Sequence, residues 1–266
     1  MSFKEEIENI SRGEWLGKRI VYSDSIPSTN DEAKSLAKEG AQHGTIVVAD
    51  EQTGGKGRMG KGFYCPPGVG LWFSYILRPD IAPADASMLT IVKGLAVREV
   101  LAECCGETNQ VSIKWPNDIV CDGRKLCGIL TEMSATADRI EYVVIGTGIN
   151  VLNEGFKDDL KELAVSVGML SEKVPERARI LEKINAAFEK RYEIFLRTHD
   201  LRSLKDEYNS FMAGRDEEIR ASGKKGELRG KARGIDDRGR LIVETADEKR
   251  LLESGEISIR GIYGIH

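Results

Sequence analysis

Histidine is scarce in these 266 residues: His43, His199 and His266 stand far apart, none at metal-ligand spacing. A zinc site, which draws on closely spaced His and Cys, is not expected. The five cysteines, Cys65, Cys104, Cys105, Cys121 and Cys127, are odd in number and form no C-x-x-C pair. Reduced thiols in a cytoplasmic protein are the expectation. No window approaches the ~20 apolar residues of a membrane span, and the N-terminus lacks the apolar core of a signal peptide. A net charge of −4 gives no general case for nucleic acid or an anionic membrane as partner. Residues 1–20 read as a short amphipathic lead-in, too small for a helix-turn-helix domain, so sequence-specific DNA binding is not expected. The remaining composition, 41% hydrophobic and 31% charged, is that of a soluble globular protein. The length suits one sizeable domain with room for a small second one.

Glycine and cations, by contrast, are concentrated in one place. Thr45 to Ala49 is a β-branched apolar run fit for a buried strand, and the stretch Asp50 to Phe63 follows it. There Gly54, Gly55, Gly57, Gly60 and Gly62 alternate with Lys56, Arg58 and Lys61. Glycines let backbone approach a ligand closely, and the cations favour an anion, so a phosphate-bearing ligand is indicated. Gly55-x-Gly57-x-x-Gly60 imitates a dinucleotide fingerprint, and Gly55 to Lys61 imitates the start of a Walker A loop. Both need a following helix whose N-terminus holds phosphate. Pro66-Pro67-Gly68 forbids that helix, and Gly62 leaves no hydroxyl for Mg²⁺. A solvated surface loop is the plain alternative.

Elsewhere, Arg19 to Tyr22 reads as a strand, and Ser28-Thr29-Asn30 opens a helix reaching about Glu39, with the hydroxyls or amide as caps. Gly70 to Leu77 is a strand and 84–105 a long apolar helix. A meander follows: Val111 to Trp115, then Ile119 to Cys121 against Lys125 to Met133 across Asp122-Gly123. Ile140 to Ile145 is a further strand, ending in Gly146-Thr147-Gly148-Ile149-Asn150. Helices are expected at 158–166, 176–197 and 200–212, with Pro175 at the first helical position of the second. From Gly214 the pattern becomes short strands and turns, a small all-β unit best read as a barrel. In Lys224–Arg240 the cations Lys224, Lys225, Arg229, Lys231, Arg233, Arg238 and Arg240 outnumber Glu227, Asp236 and Asp237. Such a run is either a solvated face or a docking surface for an acidic partner.

Three more segments fall at expected strand ends. Lys114-Trp115-Pro116-Asn117-Asp118 gathers a cation, an aromatic, an amide and a carboxylate at one bend, although Trp115 could equally be core and Asn117-Asp118 turn residues. Lys125 follows a hairpin turn, where an edge charge is the ordinary reading. Asn150 closes a Gly-x-Gly strand end where backbone can pass near a ligand.

Taken together, Ser28-Thr29-Asn30, Gln52-x-x-Gly55-x-Gly57-Arg58, Lys114-Trp115-Pro116-Asn117-Asp118, Lys125-x-x-Gly128-Ile129-Leu130-x-Glu132 and Gly148-Ile149-Asn150 resemble the biotin–protein ligases in order and spacing. The resemblance covers about residues 20–266. It implies an α+β fold: a mixed-sheet catalytic domain over 1–213 and a small SH3-like β-barrel over 214–266. It implies that biotin and ATP, with Mg²⁺, give biotinyl-5′-AMP and pyrophosphate, and that a lysine of a biotin carboxyl carrier domain then takes the biotinyl group. A homodimer is among the assemblies it suggests. By the same resemblance Ser28, Thr29, Asn30, Gln52, Lys56, Gly57, Arg58 and Lys125 bind biotin. Arg58, Trp115, Asn117 and Asn150 serve ATP, and Lys125 and Arg58 are catalytic.

The chain departs from the family where arginine is usual at Lys56 and frequent at Met59, and where tryptophan is common at Phe63. Lysine keeps charge and loses bidentate geometry, so a looser grip on the intermediate is expected. The chemistry agrees independently, because a carboxylate attacking a phosphate needs cations to neutralise oxygens that repel each other. The mixed anhydride also needs shielding from water, which a closing loop provides. Three other readings stay open. A lipoate ligase or octanoyltransferase shares the carrier-type substrate but should lack the Ile-Leu-x-Glu continuation, a non-catalytic module could bind biotinyl-AMP as a sensor, and a generic nucleotide-binding protein is left if the motif match is accidental.

Overall fold

A computed structural model describes residues 1–156, 160–223, 226–254 and 258–260, the last three by backbone alone. The chain opens with α1 (Phe3–Glu8), fixed by a capping box between Ser2 and Glu5. It continues through β1 (Ile20–Ile26), α2 (Thr29–Lys38), β2 (Thr45–Gln52), β3 (Gly70–Leu77) and α3 (Met88–Cys105). The meander follows as β4 (Val111–Lys114), β5 (Asp118–Cys121), β6 (Arg124–Ala135) and β7 (Ile140–Asn150). Then come α4 (Val167–Leu170), α5 (Arg177–Thr198) and α6 (Lys205–Ser210). The small unit contains β8 (Glu218–Gly223), β9 (Gly226–Ile235), β10 (Leu241–Glu244), β11 (Lys249–Leu252) and β12 (Ser258–Arg260).

The first seven strands form one mixed sheet in the order β1-β2-β3-β7-β6-β5-β4. Only β1 and β2 run parallel, joined by the α2 crossover, while the rest is antiparallel. One face carries the main core. Ile145, Ile149, Ile129 and Cys127 of β7 and β6 meet Val92, Leu95 and Ala96 of α3 and Ile184 and Phe188 of α5. On the opposite face Val47, Ile76 and Val144 pack against Ala33 and Ala37 of α2. Next to that patch, toward the strand ends, the same face carries glycines in place of side chains. The second sheet, β11-β10-β9-β8-β12, is antiparallel throughout and forms the expected small all-β unit.

Several expected bounds move. Residues 84–87 precede α3 as a short 3₁₀ turn over Pro83–Asp85. Pro175 stands before the N-cap Glu176 instead of at the first helical position. The helix expected at 200–212 contracts to α6. That expected at 158–166 is absent among the described residues, since Lys125 and Ala164 form a β-bridge there. Residues 158 and 159 lie outside the described residues. The backbone around 163–165 instead pairs with the β5–β6 hairpin, Lys125 N–H donating to Leu163 O at 2.7 Å and Val165 N–H to Lys125 O at 3.0 Å.

The lead-in before β1 is tied down by one carboxylate. Glu189 on α5 accepts the backbone N–H groups of Glu14, Trp15 and Leu16 at 3.2, 2.9 and 2.7 Å. Removing it orphans buried or half-buried donors, at about 1–3 kcal/mol for each group that finds no other partner. Glu189→Ala should therefore lower the urea midpoint by an amount equivalent to about 2 kcal/mol or more, a shift that equilibrium unfolding would detect.

Candidate active site

The glycine-bearing face of the sheet is the floor of a cavity of about 910 Å³. On β7, Gly146, Gly148 and Asn150 share one face by the two-residue period of a strand. Gly148 lies opposite Gly128 of β6, and Gly146 opposite Leu130 of β6 and Ser74 of β3. Side chains cannot replace these glycines without displacing the site. A Cβ on Gly146 would come within 2.1 Å of Asn30 Oδ1, and one on Gly128 within 3.1 Å of Lys125 Nζ and 3.0 Å of Phe63.

One wall is the start of α2. Ser28 caps the helix, its Oγ accepting Asp31 N–H at 3.4 Å, and it also lines the cavity. Gln52 Oε1 accepts the Thr29 backbone N–H at 2.7 Å and the Thr29 hydroxyl at 2.9 Å. Asn30 donates from Nδ2 to Glu132 Oε2 at 2.8 Å, and its Oδ1 lies 2.6 Å from the Ser74 hydroxyl that donates to it. Glu132 in turn accepts from Lys34 at 2.9 Å. Short polar side chains buried this way are fixed in orientation, because each would lose a partner by turning.

The lid is the glycine loop, and no helix follows it, as the prolines require. It leaves β2 and returns as a narrow excursion, with bridges Gln52–Cys65 and Lys56–Gly62 and a 3₁₀ tip at Arg58–Gly60. Met59 at the tip adopts φ 57° and is 71% exposed, so its departure from the family's frequent arginine costs the packing nothing. Lys56 pairs with Asp31 on α2. Arg58 points inward, donating to Asn117 Oδ1 at 3.0 Å and to the Ser254 carbonyl of the small unit. Burial presses down on its guanidinium, and Asp118 opposes that. Phe63 packs edge-on against Trp72, with ring centroids 5.9 Å apart, and lies 5.4 Å below Lys125 Nζ.

The far wall is the β4–β6 meander. Lys125 Nζ pairs with Asp118 at 2.7 Å. Asn117 donates to Ile129 O at 2.9 Å while accepting from Arg58, and Asn150 donates to Val165 O at 3.1 Å and Lys125 O at 3.3 Å. Lys114, just ahead of them, is buried, and that burial pulls its ammonium down to about 8, with Asp118 opposing and Lys125 and Lys61 reinforcing the shift. Phe156, Leu160, Leu163 and Ala164 add an apolar side.

Residues 22–150 match the Biotin/lipoate A/B protein ligase family, and residues 216–260 match the Biotin protein ligase C terminal domain. The chain is 40% identical over 258 residues to the bifunctional ligase/repressor BirA of Bacillus spizizenii, an alignment covering 96% of this chain and 78% of that protein. The chain belongs to the biotin protein ligase family. It is also 30% identical over 237 residues to the biotin–[acetyl-CoA-carboxylase] ligase of Paracoccus denitrificans, covering 88% and 98% of the two chains. Among solved structures, the biotin protein ligase from Aquifex aeolicus in complex with biotin and ATP superposes with a TM-score of 0.79 at 28% identity, over 91% of this chain and 99% of that one.

In this ligase, ten expected site residues line the one cavity: Ser28, Thr29, Asn30, Gln52, Lys56, Gly57, Arg58, Asn117, Lys125 and Asn150. Trp115 does not. It is buried in the core, and its indole N–H donates to Gly239 O of the small unit at 2.9 Å. Of the two readings open for it in the sequence, core is the one realised. Lys114, Lys61, Asp118 and the floor glycines also line the cavity. Their signal was their place inside motifs already singled out, one to four residues from those chosen.

Two expectations follow from this geometry. Gly146→Ala should dislodge Asn30 and raise the biotin dissociation constant, while circular dichroism shows a folded protein. Unaltered biotin affinity by calorimetry would contradict the close contact. Lys114 carries charge below about 8 and loses it above. A positive group needed for a polyanionic substrate should then make kcat/KM for ATP fall as pH rises through about 8. In Lys114→Met the plateau should drop and that falling limb vanish.

Proposed function

We propose that this biotin protein ligase divides its two-step reaction among the walls of the cavity as follows. The α2 wall, with Ser28, Thr29, Asn30 and Gln52, holds the ring system of biotin by fixed hydrogen-bonding groups. The side lined by Asn117, Asn150 and the apolar residues around Ala164 takes the nucleotide. Lys125 and Arg58 meet between them, where the biotin carboxylate attacks the α-phosphorus of ATP. A P–O bond forms, the bond to the β-phosphate breaks, and pyrophosphate leaves. The neutral amine of a carrier-domain lysine next attacks the activated carbonyl, expelling AMP and shedding a proton. Asp118, the one carboxylate among the described lining residues, would be the protein group to hold a Mg²⁺ brought in with the triphosphate, an ion usually bound through one or two carboxylates and phosphate oxygens. The ion would supply positive charge to the phosphate oxygens.

The observation that carries this reading is the lining of one cavity by Lys56, Arg58, Lys61, Lys114 and Lys125, with Asp118 the one carboxylate among the described lining residues, beside neutral hydrogen-bonding groups. A neutral ring system with a carboxylate tail and a polyphosphate match those two halves. The relatives named for ligation to acetyl-CoA carboxylase support a biotin carboxyl carrier domain as acceptor. Residues 1–213 act as the catalytic domain and 214–266 as the second, a division supported by the separate sheet of the small unit. Five free, buried thiols suit a reducing, cytoplasmic setting.

The test is pyrophosphate release from Mg·ATP with and without biotin, with lipoate as the competing acid, followed by the mass of a carrier domain. Release that ignores biotin, or a carrier that gains no biotinyl mass, would sink the reading. Lys125 sits on a strand braced by Asp118, so Lys125→Ala should slow adenylation and overall transfer together by about a hundredfold or more. Arg58 belongs to the lid. Arg58→Gly should leave adenylation measurable while intermediate escapes and biotin spreads to lysines of bystander proteins. Normal single-turnover adenylation by the first variant, or clean labelling by the second, would reverse the assignment.

A further inference from the structure

The small C-terminal unit is rich in arginine, and almost all of that charge is spent internally. Arg215 and Arg233 pair with Asp216, Arg229 with Glu227, Arg240 with Asp236 and Arg250 with Glu248. Arg233 also reaches Glu244, and Arg238 reaches Asp85 of the catalytic domain. The basic run at 224–240 is therefore largely neutralised where it is described (Lys224 and Lys225 lie outside the described residues). As a docking surface for an acidic partner it is poor.

Arg220 is different. It lies on β8, is exposed, and makes no ion pair among the described residues. It is also the one residue of the small unit that lines the catalytic cavity among those described. A guanidinium with no ion pair among the described residues, held on a strand beside a cation-lined pocket, is poised for an anion that the pocket receives. Adenylation brings two kinds of phosphate there. The α-phosphate stays with the adenylate, next to Arg58 and Lys125. The β- and γ-phosphates carry most of the charge and leave together.

We propose that Arg220 is a substrate-binding residue for the β- and γ-phosphates of ATP, and so for pyrophosphate as it departs. This rests on the ligase reading above. Charge decides the occupant. A guanidinium forks onto phosphate oxygens bidentately, and a triphosphate adds several negative charges to a cavity that holds one carboxylate. The small unit thereby contributes to the first half-reaction directly, through a side chain on a regular strand.

The experiment separates the two half-reactions in full-length protein. Biotin-dependent exchange of labelled pyrophosphate into ATP measures the first, and transfer from purified biotinyl-AMP to a carrier domain measures the second. In Arg220→Ala the KM for ATP and the pyrophosphate concentration at half-maximal exchange should rise roughly tenfold or more, the range expected for one charge-assisted hydrogen bond. Biotin affinity and transfer from purified biotinyl-AMP should stay at wild-type levels, which also shows that the variant folds. Arg220→Lys should recover part of the ATP effect, since charge returns without the fork. An unchanged KM for ATP would overturn the proposal. So would a variant that exchanges pyrophosphate normally but transfers poorly, because Arg220 would then serve the acceptor. If the wild-type protein itself exchanged no pyrophosphate, the ligase reading would fail first.

Discussion

The catalytic cavity exists because side chains are missing from one face of the central sheet. In an antiparallel sheet each residue faces its cross-strand neighbours at about 4.5–5.5 Å, so ordinary side chains would fill that space. Gly128 opposite Gly148, with Gly146 one period away, leaves it open toward one end of the long β6–β7 pairing. The same strands keep Ile145, Ile149, Ile129 and Cys127 on the other face, buried under α3 and α5. The floor is therefore bare yet backed by the main core, and it cannot collapse into its own void. Everything placed over it, α2, the glycine loop and the β5–β6 hairpin, is held by its edges.

That bare floor also sets the electrostatics. Lys56, Arg58, Lys61, Lys114, Lys125 and Arg220 line the cavity with Asp118 the one carboxylate against them among the described residues, in a chain whose net charge is −4. Concentrating positive charge where water is partly excluded is unfavourable without an anion, and the lowered affinity of Lys114 for its proton is one sign of that cost. An anion would relieve it, which is the sense in which such a site is preorganised for charge that arrives with a substrate. Asp118, bound to Lys125, keeps the ammonium in place until then.

How much of this was legible in the sequence depended on whether the determinants were local. Through Pro66 and Pro67 the glycine loop announced the lack of a following helix, which holds, and its cations Lys56, Arg58 and Lys61 do line the cavity. Alternating and β-branched runs located every strand of the large sheet to within a few residues. What failed was decided by distant partners. Leu163 to Val165 look helical in isolation, but the Lys125 backbone competes for their hydrogen bonds. Trp115 stands inside a ligand motif, yet the carbonyl that satisfies its indole belongs to Gly239, more than a hundred residues away. The basic run could not show its own neutralisation, because Asp85, Asp216 and Glu244 lie outside it. Local rules place a residue on a strand or a turn, and tertiary partners decide what its side chain does there.

Trp115 matters more as an anchor than it would have as a ligand. It lies between Lys114 and Asn117-Asp118, so the bend that delivers three cavity residues is pinned from behind by the small unit. That unit is in turn clamped to the catalytic domain. Leu201 N–H donates to Asp237 O at 2.8 Å, Lys205 pairs with Asp237 at 2.6 Å, and Asn209 Oδ1 accepts Ile235 N–H at 2.7 Å. Ile113, in the same strand as Lys114, is paired along its outer edge by Phe211 and Ala213 in the segment that leads into the small unit. From the other side Arg58 reaches the Ser254 carbonyl while it holds Asn117. The small unit thus touches both the lid and the bend beneath it. A shift of that unit would move Asn117 and release Arg58 together, because the lid arginine has its acceptors on both bodies. The glycine loop and the bend at Asn117 thus share the small unit as a common support.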